Sequence, residues 1–393
     1  MTAIREWIDR RFPWTEFIER HVTRYPTPRN LNYWWNFGSL AGLFLMVQIL
    51  TGVWLTMYYK PDTELAFDSV QYIVRNVHYG WLIRSLHAVA PTGFFLAVYL
   101  HVARSLYYGS YKAPRELVWW IGIAIYLSLM TEAFMGYLLP WGQMSYWGAT
   151  VVTNFFSAVP FIGPDLVVWL RGDFAIGNPT LGRFFSLHST LIPIAVIGGL
   201  VAMHLIALHR VGSGNPAGIE LDKKGPAVIP FAPYCITRDL WFNALFFTLF
   251  LYIVFFQPDL FLEPINYEPA DPLVTPHDIV PEWYFLPFYA ILRSIPWKLG
   301  GVVAMFGSVL ILAFLPYLDR SPVSSARYRP VKRVLTWLFF LDVLLLGYIG
   351  LQPPGSMPLI GIAATSGYFL YFLILPLVPA FEKVRPLPRE DEI

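Results

Sequence analysis

The sequence predicts an all-α integral membrane bundle, and two observations on its 393 residues lead to this fold class. First, 56% of the residues are hydrophobic and only 14% are charged, whereas soluble proteins carry close to a quarter charged residues. Second, eight apolar segments are long enough to be candidates for transmembrane helices. These predicted spans, numbered one to eight, are Trp34–Tyr58, Trp81–Tyr108, Leu117–Leu139, Phe184–Ala207, Leu240–Phe256, Gly300–Tyr317, Val334–Leu351 and Leu359–Phe381.

Two further segments are predicted to lie on the membrane surface. Between Ile4 and Arg24, Trp, Phe and Ile alternate with Arg and Glu, which is typical of an amphipathic surface helix. Residues 140–170 are apolar but interrupted by Pro and Gly, so we expect short surface helices there and no span. The expected division is a surface segment (1–30), a four-helix part (31–215) and a second four-helix part (216–393).

The basic residues orient the predicted bundle. Arg and Lys are concentrated before span one and after spans two, four and six. Because cytoplasmic loops carry an excess of these residues, both termini are expected on the cytoplasmic side, or on the matrix side in a mitochondrion. Spans two and four then run inward together. The net charge of +2 and the lack of a basic stretch give no indication of nucleic-acid binding.

Four histidines lie inside these predicted spans, two on each of two helices. His87 and His101 are 14 residues apart in span two, and His188 and His204 are 16 residues apart in span four. At about 1.5 Å per residue, each pair marks two depths roughly 21–24 Å apart. Imidazole is a common axial ligand of haem iron. The topology pairs His87 with His188 near the outer face and His101 with His204 near the inner face, which suggests two stacked haems.

Glycines and arginines recur near the same depths. Gly38 and Gly52 in span one are 14 residues apart, as are Gly122 and Gly136 in span three. Each glycine could make room for a flat macrocycle, or could simply allow close helix packing. The arginines near the histidines, either snorkelling to the interface or pairing with haem propionates, are Arg84, Arg104 and Arg183.

The spacing in span four is incompatible with a regular helix that binds two haems. Fourteen residues are nearly four α-helical turns, so His87 and His101 share a face, but sixteen residues place His188 and His204 on nearly opposite faces. A kink or π-bulge is therefore expected between them, where Pro193 lies.

The single cysteine, Cys235, excludes a covalent C-x-x-C-H haem site and a thiolate cluster within this chain.

Long motifs along almost the whole chain resemble those of the cytochrome b family, the membrane subunits of ubiquinol–cytochrome c oxidoreductase. These motifs are WWNFGSLAG, GWLIRSLHA, HVARSLYYGSY, GYLLPWGQMSYWGATVVTN, RFFSLH, LHRVGSGNPAG and PEWYFLPFYAILRSIP. The resemblance implies that His87 and His188 bind a low-potential b-type haem and that His101 and His204 bind a high-potential one. FLPFYAILR resembles prokaryotic members, so a bacterial cytoplasmic membrane is expected over a mitochondrial inner membrane.

The resemblance also implies two quinone sites. The outer one, which oxidises quinol, would be formed by the loop carrying Pro-Glu-Trp-Tyr and by nearby residues, with Glu282 accepting a proton. From the residues alone, this loop is better explained as an aromatic interface anchor. The inner, quinone-reducing site would lie at the inner ends of spans four and five, where surface polarity is the alternative. The implied residues are Glu282, Tyr284, Tyr137, Gly148 and Tyr289 outside, and His209, Ser213 and Asp239 inside.

The function implied by the resemblance is quinol oxidation with divided electron flow. One electron would go to a Rieske iron–sulfur protein and a membrane-anchored c-type cytochrome, and the other through both haems to a quinone. A homodimeric complex is expected. The alternatives are a di-haem membrane anchor of a dehydrogenase, which has fewer spans, and a non-redox transporter, which would not require four histidines matched by depth.

Two features depart from the family pattern. The members known best have 14 residues between the span-four histidines, and the chloroplast relative, which is split into two chains, has about 15. Glu132 occupies a position in span three where a small or apolar residue is expected. It could be a buried group linked to proton transfer or the partner of an arginine.

Overall fold

The computed structural model describes residues 2–393 and is predominantly helical. Seven helices in this part of the chain are long and apolar enough to cross a membrane. They are Tyr33–Thr56, Gly80–Tyr108, Glu116–Leu138, Asn178–Val211, Tyr234–Phe256, Lys298–Leu318 and Pro330–Leu351. They correspond to predicted spans one to seven, and these numbers are kept below. The chain is thus a multi-pass membrane protein.

The eighth predicted span is shorter than expected. An apolar helix of 17 residues covers Pro358–Ile374 and ends before Pro376. A second proline, Pro379, lies in a short 3₁₀ turn, Val378–Ala380. Since proline lacks the backbone N–H that continues a helix, these two residues explain why the helix stops short of the predicted Phe381.

The N-terminal segment forms two short helices instead of the single one predicted. They cover Thr2–Asp9 and Trp14–Ile18, and a π-helical turn, Glu19–Thr23, follows the second. Pro13 immediately precedes the second helix. Its missing backbone N–H costs no helical hydrogen bond there. Residues 26–28 then pair antiparallel with residues 228–230, which ties this segment to the loop before span five.

Short helices connect several spans. Gln143–Phe155 and Gly163–Arg171 follow span three, within the region where short helices were predicted. Ala66–Asn76, between spans one and two, and Leu286–Ser294, after the Pro-Glu-Trp-Tyr loop, were not predicted. Both are too short for a hydropathy signal, although Ala66, Ser69 and Ile73 form a buried face at helical spacing.

One end of the bundle is joined by a buried charged cluster. Asp319, after span six, lies 2.7 Å from Arg329, 3.0 Å from Lys332 and 3.4 Å from Lys112. Tyr111 donates a hydrogen bond to the same carboxylate, at 2.7 Å. Arg329 also binds Glu382, after the eighth helix, at 2.8 Å. The ends of spans two, six and seven and of the eighth helix therefore meet on one side, as the predicted topology requires.

Electrostatics inside this cluster favour the ionised carboxylate. Burial raises the pKa of Asp319, but attraction to Lys332, Lys112 and Arg329 outweighs it and holds that pKa well below its usual range. Burial lowers the pKa of Lys112. The predicted orientation of the chain in the membrane rests partly on three basic residues that are buried in these ion pairs, Lys112, Arg329 and Lys332.

Candidate functional site

The four intramembrane histidines meet in two pairs. The ring centroids of His87 and His188 are 6.1 Å apart, and those of His101 and His204 are 6.5 Å apart. These are the two pairs that the topology predicts. Two imidazoles on opposite sides of one metal ion, each at a metal–nitrogen distance of about 2.1 Å, would have centroids roughly 6 Å apart. The pair geometry therefore fits bis-histidine ligation of one iron at each level.

The structure brings a glycine against each of the four imidazoles. A Cβ added to Gly52 would lie 3.1 Å from the Cε1 atom of His87, and one added to Gly136 would lie 2.4 Å from that of His188. At the other level, the corresponding distances are 3.2 Å for Gly38 and His101 and 3.3 Å for Gly122 and His204. Because glycine has no Cβ, the imidazole rings of spans two and four can pack directly against the backbones of spans one and three.

Span four contains the helical irregularity that its spacing predicts. A π-helical segment covers Leu187–Ile197, and α-helix follows over Gly198–Val211. A π-helix turns by about 82° per residue and rises by about 1.15 Å, against about 100° and 1.5 Å in an α-helix. Over the 16 residues from His188 to His204, this mixture gives about four full turns and a rise of about 21 Å. Both histidines therefore share a face, at the same separation as His87 and His101.

Pro193 gives a local reason for this segment. In an α-helix, a proline ring collides with the carbonyl group four residues earlier and removes one hydrogen bond. The wider π-helical turn moves that carbonyl away from the ring, and Pro193 lies in the middle of the π-helical segment. The two residues beyond a 14-residue spacing are accommodated in the same place.

Hydrogen bonds at Nδ1 leave the Nε2 atoms of the outer pair free to face each other. Thr51 Oγ1 donates to the Val47 carbonyl at 2.6 Å and lies 2.9 Å from His87 Nδ1, so it accepts from the imidazole. His188 Nδ1 lies 2.9 Å from a carboxylate oxygen of Glu132 and 3.1 Å from its backbone carbonyl. A histidine whose Nδ1–H is held in this way presents Nε2 as a ligand.

The inner pair has different surroundings. Arg104 lies 3.4 Å from His101 Nδ1 and packs over the ring of Trp35, 4.9 Å from its centroid. Arg104 Nε and Trp35 Nε1 are buried and have no hydrogen-bond partner among residues 2–393. Buried polar groups in proteins are nearly always paired. These unpaired donors around the pair therefore fit a bound group that carries acidic substituents, as haem does.

A cavity of about 230 Å³ joins the outer pair to the Pro-Glu-Trp-Tyr loop. Its lining includes both outer histidines together with six other predicted site residues, which are Gly52, Arg84, Gly136, Tyr137, Glu282 and Tyr284. Tyr284 is buried and stacks on Phe95 with a centroid distance of 3.9 Å. Asn266, which sequence reasoning did not identify, also lines the cavity and accepts a hydrogen bond from the Ser145 backbone at 2.9 Å.

Glu282 is the ionisable group of the loop that lines this cavity. Burial, opposed by a hydrogen bond from the Tyr137 hydroxyl and aided by the charge of Glu263, raises the pKa of Glu282 to about 7. A carboxyl group with this pKa can accept and release a proton near neutral pH. Glu282 thus has the location and the acidity that proton transfer from a ligand in the cavity requires.

Three of the residues predicted for the outer side do not line the cavity. Arg183 donates to the Trp169 carbonyl at 2.5 Å, away from the histidine pair. Gly148 has no atom within 4 Å of an added Cβ, so nothing in the structure requires a glycine there. Tyr289 donates to the Ile279 carbonyl at 3.4 Å and stacks on Arg293. It steadies the backbone just before the Pro-Glu-Trp-Tyr loop.

At the inner side, the three predicted residues are not joined by a hydrogen bond to one another in the described part of the chain. His209 lies 2.7 Å from the Leu205 carbonyl and 2.9 Å from that of His21. Ser213 donates to the Gly214 carbonyl at 2.9 Å. Asp239 interacts with Ser39 at the start of span one. A ligand bound between these three residues would displace the contacts of His209 with the Leu205 and His21 carbonyls.

Comparisons with known proteins agree with this architecture. Residues 22–212 match the family model described as cytochrome b/b6/petB, and residues 269–378 match that described as cytochrome b(C-terminal)/b6/petD. Cytochrome b of Rickettsia bellii is 56% identical over 99% of this chain and 96% of its own length. Cytochrome b of Rhodospirillum rubrum is 54% identical over 98% and 94%.

A solved structure is similar over nearly the whole fold. A chain of a hyperthermophilic respiratory Complex III superposes with a TM-score of 0.91 at 38% identity, covering 95% of this chain and 98% of that chain. The bacterial relatives also agree with the prokaryotic character that FLPFYAILR predicts. The two family models together span most of the sequence, and the chain therefore belongs to the cytochrome b family.

Proposed function

We propose that this chain is the electron-carrying membrane subunit of a quinol–cytochrome c oxidoreductase. It oxidises quinol at an outer site and sends one electron across the membrane to a quinone at an inner site, while the other electron leaves for a Rieske iron–sulfur protein. The observation that carries this proposal is the meeting of four histidines in two pairs, with ring centroids 6.1 Å and 6.5 Å apart.

Each histidine pair is proposed to hold one non-covalent b-type haem. His87 and His188 would bind the outer iron, and His101 and His204 the inner iron. When bound, the two haems would supply one-electron carriers at two depths of the membrane. Arg84, in the outer cavity, and Arg104, with its unpaired Nε, are placed to neutralise acidic substituents of these groups. Arg183 would need to leave the Trp169 carbonyl to do so.

The outer site is proposed to bind quinol in the cavity between the outer histidines and the Pro-Glu-Trp-Tyr loop. Glu282 would accept a proton from the quinol hydroxyl, with Tyr137 orienting its carboxylate. Tyr284 packs against Phe95 and fixes the loop. Tyr289 supports the same loop at the Ile279 carbonyl, and Gly148 leaves open space on the neighbouring helix.

The inner site is proposed to reduce quinone near His209, Ser213 and Asp239. These residues lie at the ends of spans four and five, next to the loop that the basic residues assign to the cytoplasm. Their side chains can donate to the quinone oxygens and pass protons from the cytoplasmic side. Proton uptake there and proton release at the outer site would together move charge across the membrane.

The architecture completes this proposal. The helix Pro358–Ile374 would serve as an eighth span, since 17 residues is the lower limit for crossing a bilayer. Residues 1–30 and the short helices between spans three and four would lie on the membrane surface. Residues 31–215 would form the di-haem bundle, and residues 216–393 the part that carries the outer loop. The proposed location is the bacterial cytoplasmic membrane.

Partners are proposed because this sequence has neither a C-x-x-C-H motif nor more than one cysteine. Electrons that leave the outer site therefore need another protein to reach a soluble acceptor. A Rieske iron–sulfur protein and a membrane-anchored c-type cytochrome would fill this role, in a complex that is a homodimer. The bilayer and the two forms of quinone are the other proposed partners, and no nucleic acid is among them.

Electron transfer from quinol to cytochrome c tests this function. Membranes containing the chain and its partner subunits are expected to reduce cytochrome c when quinol is added, and membranes lacking only this chain are expected not to. A reduced-minus-oxidised spectrum without b-type bands would favour a non-redox transporter. b-Type bands without quinol-driven cytochrome c reduction would favour the membrane anchor of a dehydrogenase.

A further inference from the structure

Glu132, in span three, contacts one of the two outer histidines. One of its carboxylate oxygens lies 2.9 Å from Nδ1 of His188, and both side chains are mostly buried. Its second carboxylate oxygen is buried and has no partner among residues 2–393. The partner of Glu132 in this structure is a histidine, and no arginine forms an ion pair with it among the described residues.

The other three histidines have no comparable partner. His87 Nδ1 faces the neutral Thr51 hydroxyl at 2.9 Å. His101 Nδ1 lies 3.4 Å from the positively charged Arg104, and His204 interacts with the neutral Val118 backbone. The outer pair thus has a neutral and an anionic acceptor, whereas the inner pair has a cation and no anionic acceptor. Each pair has an arginine nearby, Arg84 outside and Arg104 inside, but only the outer pair has a carboxylate at Nδ1.

Such a difference affects a metal ion bound at Nε2. A carboxylate that accepts the Nδ1–H of a ligating histidine makes the imidazole a stronger electron donor. Its negative charge also stabilises the more positive, oxidised iron, and it does so strongly because the site is buried. Nearby cations have the opposite effect. Second-shell hydrogen bonds and burial are among the means by which proteins adjust haem reduction potentials.

We propose that Glu132 is a positioning residue that lowers the reduction potential of the outer haem in this chain. The inference rests on the proposed function, because it requires a haem on His87 and His188. The carboxylate accepts the His188 Nδ1–H, holds the ring with Nε2 toward the iron, and favours the oxidised state of that iron. A lower outer potential makes transfer from the outer to the inner level more favourable.

The replacement Glu132→Gln tests this proposal in the intact complex. Glutamine has nearly the same shape, and its amide oxygen can still accept from His188 Nδ1. The Glu132 backbone carbonyl, 3.1 Å from the same nitrogen, also remains. The variant is therefore expected to keep both haems while losing the negative charge. Optical redox titration at pH 7 is expected to show the outer-haem potential raised by at least 59 mV, a tenfold change in its one-electron equilibrium.

A matched control removes another intramembrane carboxylate. Asp342, in span seven, lies beside Gly367 and has an unpartnered, buried carboxylate oxygen. Asp342→Asn is expected to leave both haem potentials nearly unchanged. The one-electron equilibrium constant of each haem should differ from that of the unsubstituted complex by less than threefold. Low-temperature electron paramagnetic resonance adds a second measurement, because the g-values of the outer haem are expected to shift only in Glu132→Gln.

The outcomes separate this inference from the proposed function. Two haems with an unchanged outer potential in Glu132→Gln would overturn the role of Glu132 and leave the function intact. An equal shift in Asp342→Asn would also overturn it, because the effect would then be one of membrane charge in general. Absence of haem from the unsubstituted chain would instead contradict the proposed function itself.

Discussion

Glu282 combines an outer location with acidity near neutral pH, and quinol oxidation is expected to depend on it. Because burial raises its pKa to about 7, the carboxyl group is mostly protonated at pH 6 and unable to accept a proton, and mostly ionised at pH 8. Turnover limited by the outer site is therefore expected to rise with pH through about 7. Glu282→Gln is expected to lower it about 100-fold and to remove this rise.

Steady-state turnover between pH 6 and 8 checks this prediction, with haem content measured on the same samples. Reduction of the inner haem by quinol entering from the inner site serves as the control and should be little changed. Turnover equal to that of the unsubstituted complex across this range would show that Glu282 is not the proton acceptor.

Asp239 supports a second prediction at the scale of single residues. It lies at the start of span five and is proposed to pass protons to the inner quinone. Asp239→Asn keeps the size and a hydrogen-bonding group but removes the proton donor, so re-oxidation of the inner haem is expected to slow about 100-fold. Its reduction from the outer site should not change. Stopped-flow spectra resolve the two steps, and re-oxidation at the normal rate would place the quinone elsewhere.

Sequence patterns identified residues whose spacing reflects helix geometry, but not those whose partners come from distant segments. The pairing of His87 with His188 followed from topology, and the four glycines followed from a repeat of 14 residues. The contact of Glu132 with His188 joins spans three and four across 56 positions, and no periodicity reveals it. The position of Arg183 against the Trp169 carbonyl depends likewise on an irregular loop.

Span four shows how an element can preserve geometry despite a change in length. Its π-helical segment, Leu187–Ile197, turns and rises less per residue than an α-helix, so that two additional residues fit between the same two depths. The irregularity was predictable, because a regular helix could not present both histidines. Its form was not, since a kink at Pro193 and a π-helical segment both satisfied the spacing.

A deletion within this segment tests the explanation. Removing Ile194 and Ala195, both exposed side chains of the π-helical segment, leaves 14 residues between the histidines. A regular α-helix then aligns them, and both haems are expected to be retained. Inserting two alanines after Ala195 should instead displace one histidine and lose one haem. Haem extraction from the purified variants measures this, and loss of a haem in the deletion variant would contradict the explanation.

The unpredicted helices Ala66–Asn76 and Leu286–Ser294 show the limit of hydropathy at the scale of elements. Each is shorter than a membrane span and is stabilised by packing on the spans, and the second lies directly after the 3₁₀ turn that carries Trp283 and Tyr284. Tertiary contacts dominate the stability of such short helices. Their presence could therefore be read only from the assembled fold.

At the scale of the whole molecule, the buried cluster around Asp319 joins the ends of four helices. Asp319→Asn would leave Arg329, Lys332 and Lys112 without their shared anion, and breaking such a buried pair costs about 3–5 kcal/mol. Because the pKa of Asp319 is depressed, its stabilisation is present above the unfolded pKa of about 3.9 and is lost only as pH falls below it. At pH 7, the thermal unfolding temperature of the Asp319→Asn complex should be markedly lower than that of the unsubstituted complex.

The exposed pair of Asp278 and His277 provides the control for this measurement. Asp278→Asn is expected to change stability by less than about 1 kcal/mol, because surface ion pairs contribute little. If Asp319→Asn were as stable as Asp278→Asn, the cluster would not hold these helix ends together.

The proposed electron transfer across the membrane depends on two haems held by two histidine pairs in one chain. The most direct measurement is a redox titration of the b-type absorbance in the purified complex, combined with haem extraction. The unsubstituted chain is expected to hold two haems per chain that titrate separately. His101→Leu is expected to hold one, the haem of His87 and His188. Two b-type signals retained in His101→Leu, or a single haem in the unsubstituted chain, would contradict the account.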